Sequence, residues 1–211
     1  MKGKFIVFEG IDGSGKTTQI NELSKWINST DLIPKTNQLI ITREPGGTKL
    51  GESIRSLLLH TNKETSPYSI TELLLYAADR AQHVNEIIRP SINKGDWVIS
   101  DRFCGSTLAY QGYGRKLDIK LIKNLETIAT QGVSPDITFL LDIPVEESIK
   151  RRFSRKDDRI EREGIDFLKN VSFGFKTLSK ENNWKTISAL KSTEEIVSEI
   201  KFEVNNLLTN Q

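Results

Sequence analysis

One cysteine, no apolar run long enough to cross a bilayer, and almost no net charge mark this 211-residue chain before any motif is read. The lone thiol, Cys104, excludes an internal disulfide framework and a cysteine-rich zinc site, so a cytoplasmic setting is the simplest expectation. The longest wholly apolar run, Leu73 to Ala78, is far short of a membrane span. Lysines stand at positions 2 and 4, but Glu9 and the glycines after it come too soon for a signal peptide. A formal charge of +2, with charged residues at 27%, gives no support for a nucleic-acid polymer as partner, and any basic chemistry has to be local. Internal repeats, low-complexity segments and long linkers are also missing. The expected organisation is therefore one α/β domain over residues 1–211.

What is present begins with FIVFEGIDGSGKTTQ, Phe5 to Gln19. Phe5 to Phe8 have the composition of a strand buried on both faces, and they run into Gly10, Gly13 and Gly15 and then Lys16-Thr17. The spacing matches GxxxxGK[ST]. Glycines there let successive backbone N–H groups turn inward around phosphate oxygens, and the following helix adds the positive end of its dipole. Gly10, Ile11, Asp12, Gly13, Ser14, Gly15, Lys16 and Thr17 are the candidate cradle for a nucleoside triphosphate, with Lys16 on the β and γ phosphates and the Thr17 hydroxyl on Mg²⁺. A plain glycine turn with a surface lysine is the competing reading. It does not account for the strand and helix on either side.

Further along, Ile20, Leu23, Trp26 and Ile27 recur as the stripe of an amphipathic helix covering the sheet. Gln38 to Thr42 read as a short strand followed at once by Arg43-Glu44-Pro45-Gly46-Gly47, charged and glycine-rich where the carboxyl end of a parallel strand faces a ligand. Leu50, Ile54, Leu57 and Leu58 outline a second helix. A third, around 69–89, is apolar nearly all round between Leu73 and Ala78, which predicts a helix sandwiched between the sheet and either another helix or a second subunit. Trp97 to Asp101 is a strand ending in an acid, the Walker B pattern whose carboxylate helps organise Mg²⁺. Just before it, Asn93-Lys94-Gly95-Asp96 matches the guanine-reading NKxD of GTPases, but it sits at the amino edge of the sheet, opposite the phosphate loop, and reads as a helix-to-strand turn. Residues 103–115 are rich in hydroxyl, amide and aromatic groups and poor in aliphatics, a composition that suits a surface loop or the recognition of a flat heterocycle. A helix near 118–130 with Leu121, Leu125 and Ile128 on one side, a strand at 136–142, and a last strand at 186–189 follow. Ser192 to Glu195 form a capping box for the final helix.

Residues 146–163 are almost wholly charged and hold the chain's dense positive cluster. A solvated helix face laced with ion pairs is the ordinary explanation of such a run. Beside a phosphate loop, an arginine lid over about 148–162 that closes on transferring phosphates is the better one. Five strands alternating with helices predict a doubly wound parallel sheet, flanked by helices on both faces, with the ligand at the carboxyl strand ends.

With these pieces placed, the chain resembles the thymidylate kinase family of P-loop nucleoside monophosphate kinases. The resemblance rests on FEGIDGSGKTT at 8–18, TREPGGT at 42–48, LLLYAADRAQH at 73–83, DRF at 101–103, STLAYQG at 106–112 and DRIE at 158–161. It implies a P-loop kinase fold, ATP as donor with Mg²⁺, dTMP as acceptor, a place in dTTP biosynthesis and a homodimer. It also implies roles. Lys16 acts on the transferring group, and Asp12 sits near the acceptor phosphate. Arg43, Arg80 and Arg102 surround the dTMP phosphate or base, Tyr76 stacks on thymine, and Ser106, Thr107, Tyr110 and Gln111 face the base and deoxyribose. Glu9 or Asp101 serves the metal through water. Two departures stand out: Phe103 replaces the commoner tyrosine or histidine, and Gly13 occupies a loop position where some members carry arginine. The second shifts the catalytic arginine to the lid, with Arg151, Arg152, Arg155 and Arg159 as candidates. Other monophosphates as acceptor, or a nucleotide-dependent switch, are the alternatives.

Overall fold

Strand β1 (Phe5–Glu9) is buried at every position, because it lies at the middle of the sheet with helices over both faces. Side-chain alternation divides it: Ile6 and Phe8 enter one hydrophobic cluster with Ile20, Leu23 and Phe139, while Phe5 and Val7 enter another with Val84, Ile88 and Ile92. Burying one such side chain is worth roughly 1.5–3 kcal/mol, so the strand is held from both sides. The structure, a computed structural model, describes residues 2–60, 65–152 and 159–209.

After β1 come α1 (Lys16–Asn28), β2 (Leu39–Arg43), α2 (Lys49–Leu59) and α3 (Ser69–His83), which continues through a π-helical turn (Val84–Ile88) into α4 (Arg89–Lys94). The chain then forms β3 (Trp97–Asp101), the short α5 (Cys104–Thr107), a second π-helical stretch (Leu108–Gly114), α6 (Ile119–Thr130), β4 (Ile137–Asp142) and α7 (Val145–Arg152). A 3₁₀ turn (Glu161–Glu163), α8 (Ile165–Glu181), β5 (Lys185–Ser188) and α9 (Thr193–Thr209) complete it. Among the described residues the strands make one parallel sheet of five, in the order β2-β3-β1-β4-β5. All carboxyl ends therefore lie on one edge, and the order reverses at β1, which opens a crevice where the phosphate loop begins. No helix among the described residues is long and apolar enough to cross a membrane.

Local signals behave as read at both ends of helices. Gly95 closes α4 at φ 97°, and Asp96 beside it accepts from Gln38 N at 2.8 Å, so Asn93 to Asp96 is a turn. The capping box is formed, with Ser192 Oγ accepting from Glu195 N at 3.2 Å and Glu195 Oε2 from Ser192 N at 2.8 Å.

Three helix faces differ from expectation. In α2 the inward side is Ile54, Leu58 and Leu59, while Leu50 and Leu57 are 52% and 54% exposed. Helix α3 packs chiefly on α2 and α6, with Leu74 turned outward. In α6 the buried face is Ile122, Glu126 and Ala129, whereas Leu121 and Ile128 are 40% and 70% exposed. The reason lies in a charge: Glu126 must reach its buried partner Arg80, at 2.5 Å, and that demand outranks the apolar stripe on the same helix. Residues 104–114 are helical and π-helical rather than a loop. Their shortage of aliphatics reflects close packing, since a Cβ on Gly105 would come within 2.4 Å of Trp184 and one on Gly112 within 2.4 Å of Ile119.

Candidate active site

Gly10, Gly13 and Gly15 adopt φ of 139°, 81° and 92°, a region L side chains rarely enter, and this turns the loop back over the end of β1. Helix α1 opens on Gly15 with no side-chain cap and no acid in its first turn, so its orphan N–H groups and positive dipole end stay open to an anion. By contrast α2 and α6 are capped by Thr48 and Asp118. Lys16 is buried, and its Nζ donates to the carbonyls of Gly10 at 3.0 Å and Ile11 at 3.4 Å. Burial pushes its pKa below the usual lysine value. A buried ammonium resting on two carbonyls at the rim of the loop gains by exchanging them for phosphate oxygens.

Asp101, at the end of β3, has Oδ1 buried 4.0 Å from Lys16 Nζ, and that oxygen takes no hydrogen bond among the described residues. Thr17 and Arg43 line the same groove. An orphaned carboxylate oxygen beside the exposed Thr17 hydroxyl suits a divalent cation. No cluster of three metal-ligating side chains exists among the described residues, so nucleotide phosphates would have to complete its shell. Glu9, the other candidate, is already engaged. It accepts from Phe103 N at 3.0 Å, Ser106 N at 3.1 Å and Ser106 Oγ at 2.6 Å, and burial pushes its pKa up to about 7.

Across the crevice from the loop is a pocket that brings together Asp12, Tyr76, Arg80, Arg102, Ser106, Thr107, Tyr110 and Gln111, all expected from sequence. Arg102 sits at φ 78°, a strained conformation for a side-chain-bearing residue, held by its N–H on Phe8 O at 2.9 Å. That turn aims the guanidinium across the crevice: Nη2 donates to Asp12 Oδ1 at 3.0 Å, Nη1 to Ser106 Oγ at 2.9 Å, and the group lies over the Tyr110 ring at 5.2 Å. Arg80 is buried and forked between Glu44, at 2.8 and 2.7 Å, and Glu126, with a further bond to Thr107 Oγ1 at 2.8 Å. Burial opposes its charge, but Glu126 and Glu44 outweigh burial and keep it protonated.

Arg43 does not join this pocket. Arg55, from α2, does, with its Nη1 on Pro45 O at 3.0 Å. Nothing in the residues around Arg55 signalled in advance what it would face. Behind the pocket a polar network escaped the sequence altogether. Glu44 binds His83 Nδ1 at 2.8 Å as well as Arg80, and Asp79 accepts from Gly46 N at 3.0 Å. Burial, with Glu44 nearby, raises Asp79 to about 6.

The lid arginines separate. Arg151 Nη2 donates to Ala189 O at 2.9 Å, away from the acceptor pocket. Arg152 is buried against the phosphate loop, where a Cβ on Gly13 would lie 2.8 Å from Ser148 O and 3.3 Å from Arg152 Cγ. Ser148 Oγ also donates to Asp12 O at 2.6 Å, pinning α7 to the loop. Arg159 is buried and paired with Glu72. Arg155 and Asp158 lie outside the described residues.

A glycine loop on the central strand of a parallel sheet, facing a cationic pocket across the crevice, defines a P-loop phosphotransferase. The model of the thymidylate kinase family matches residues 8–200. The chain is 75% identical to the thymidylate kinase of Prochlorococcus marinus strain NATL2A over the whole of both proteins, and 58% identical to that of strain AS9601 over all of this chain and 99% of the relative. Its structure superposes on the crystal structure of thymidylate kinase from Ehrlichia chaffeensis with a TM-score of 0.79 at 35% identity, covering 97% of this chain and 100% of the other. The chain belongs to the thymidylate kinase family.

Proposed function

We propose that the protein transfers the γ-phosphoryl group of Mg·ATP to dTMP, giving ADP and dTDP, a step in dTTP biosynthesis. The observation that carries this reading is the Asp12–Arg102 pair at 3.0 Å, because one partner belongs to the phosphate loop and the other to the pocket opposite. A single ion pair thus joins a triphosphate site to a second anion site. The backbone of Gly10 to Gly15 and Lys16 hold the donor phosphates. Arg102 and Arg55 receive the acceptor phosphate, Arg55 standing where the family resemblance implies Arg43. Tyr76, Arg80 and Gln111 face the base, Tyr110 and Asp12 the sugar and phosphate, and Ser106 and Thr107 brace the two arginines.

An oxygen of the dTMP phosphate attacks the γ-phosphorus as the bond to the β–γ bridging oxygen breaks, and the charge passes to ADP. The attacking oxygen is already anionic, so no base has to remove a proton, and catalysis is alignment plus neutralisation of charge. Lys16 and Arg152, both packed at the phosphate loop, supply the cations, and an arginine acting on the transferring group is worth roughly a thousandfold or more. Thr17 and Asp101 would hold the Mg²⁺ that comes with ATP, which would supply neutralisation of phosphate charge there. Residues 1–211 act as one catalytic domain.

The proposal includes a cytoplasmic homodimer. Ile70, Leu74, Leu121 and Ile128 are 45%, 52%, 40% and 70% exposed on the neighbouring helices α3 and α6, and a second copy of that face would cover them. The deciding experiment is an acceptor panel of dTMP, dUMP, UMP, dCMP and AMP with Mg·ATP. Highest kcat/KM on dTMP is expected, and preference for another monophosphate would overturn the reading.

A further inference from the structure

Glu72 lies in the first turn of α3, wholly buried, outside every motif that marks the site. Its Oε1 accepts from Gln111 Nε2 at 2.8 Å and Arg115 Nε at 3.2 Å; its Oε2 accepts from Arg115 Nη2 at 3.2 Å and from Arg159 Nη2. Four hydrogen bonds exhaust the lone pairs of a carboxylate, so nothing is left with which to touch a substrate. What Glu72 touches does face the substrate. Gln111 lines the acceptor pocket, and so does Ile160, next to Arg159. Arg159 is further tied down by Nε on Leu58 O at 2.7 Å, and Arg115 by Glu163 at 2.6 Å.

We propose that Glu72 is a positioning residue that sets the sense of the Gln111 carboxamide and latches Arg159 and Ile160 beside the acceptor pocket. Glu72 accepts from Gln111 Nε2 beside its two arginine donors, so the Gln111 amide turns its NH₂ group to Glu72. That leaves its carbonyl oxygen for the acceptor pocket, which Gln111 lines. A carbonyl there matches a base that offers a ring N–H, the imide of a 2,4-dioxopyrimidine. It repels cytosine, whose corresponding ring nitrogen carries a lone pair. Two guanidiniums, from Arg115 and Arg159, face the buried carboxylate together with Gln111 and offer it only donors. Arg159 serves this latch rather than the transferring phosphoryl group.

The inference rests on the dTMP reading and is tested on the ratio of kcat/KM for dTMP to that for dCMP, with ATP saturating. Glu72→Gln keeps the shape but can present either end of its amide to Gln111. The ratio is expected to fall about tenfold, the scale of one hydrogen bond lost or reversed in a binding site, with KM for dTMP raised and KM for ATP within about twofold of wild type. Glu72→Asp, still acceptor-only, is expected to keep the ratio even at lower thermal stability. An unchanged ratio in Glu72→Gln, or an equal loss on both acceptors, would overturn the proposal. Should Glu72→Gln not fold, Arg159→Gln decides: a raised KM for dTMP supports the latch, and an unchanged one overturns it. Wild-type enzyme that does not prefer dTMP would instead defeat the acceptor reading itself.

Discussion

Replacing Glu9 by glutamine should flatten the pH dependence of stability. Glu9 sits at the end of β1, 1% exposed, and burial raises its pKa from 4.5 to about 7. Below pH 4.5 the carboxyl is neutral in both the folded and the unfolded chain and makes no difference. Between 4.5 and about 7 the unfolded chain has already released the proton while the folded one retains it, so stability falls as pH rises, and above about 7 the full loss is in place. At about 1.4 kcal/mol per pH unit the loss approaches about 3 kcal/mol. Glutamine suits the site: its carbonyl can accept from Phe103 N and Ser106 N as Oε1 does now, and its NH₂ can donate to Ser106 Oγ, which already accepts from Arg102 at 2.9 Å. Urea unfolding followed by circular dichroism from pH 4.5 to 8 should show wild-type stability declining relative to Glu9→Gln by roughly 1 kcal/mol per pH unit, then running parallel above 7. Parallel curves throughout would mean that burial of this carboxyl does not govern its ionisation.

Arg80→Met leaves Glu44 and Glu126 buried without their cation. The expected loss of about 3–5 kcal/mol lowers Tm by roughly 6–20 °C in calorimetry, and an unchanged Tm would refute the balance of charges described above. Lys16→Ala should reduce dTDP formation at least about a hundredfold while far-ultraviolet circular dichroism stays unchanged, because the lysine acts on phosphate and not on the core. Leu74→Glu, on the exposed face of α3, should convert the proposed homodimer to monomer in sedimentation velocity; a wild-type sedimentation coefficient would place the interface elsewhere.

The parts of the chain that could be read in advance are those whose cause is local. Phe5 to Phe8 are strand because consecutive apolar residues suit a position covered on both faces, and the glycines after them are required by φ values no other residue adopts cheaply. The capping box at Ser192 and the turn at Gly95 have causes within four residues of themselves. Residues far apart in sequence needed the fold to be understood. Leu121 and Ile128 look like core and lie outside because Glu126, on the neighbouring face of α6, has to meet Arg80. Arg43 and Arg55 are both plausible phosphate ligands by residue type, and only the packing of α2 beside the crevice brings Arg55 to the pocket.

Sequence by itself determined the kind of chemistry: a loop of fixed glycine spacing with lysine and threonine, an acid ending a strand, and the motifs that mark the family. Each follows from the geometry a polyphosphate and its cation demand of a few consecutive residues. Tertiary structure alone decided the division of labour among like charges. Four lid arginines are equivalent on paper, yet Arg151 binds the Ala189 carbonyl, Arg152 lies on the phosphate loop and Arg159 pairs with Glu72, 87 residues away in the chain. Charge acts through space, and where a buried cation ends is set by the carboxylates the fold has brought within its reach.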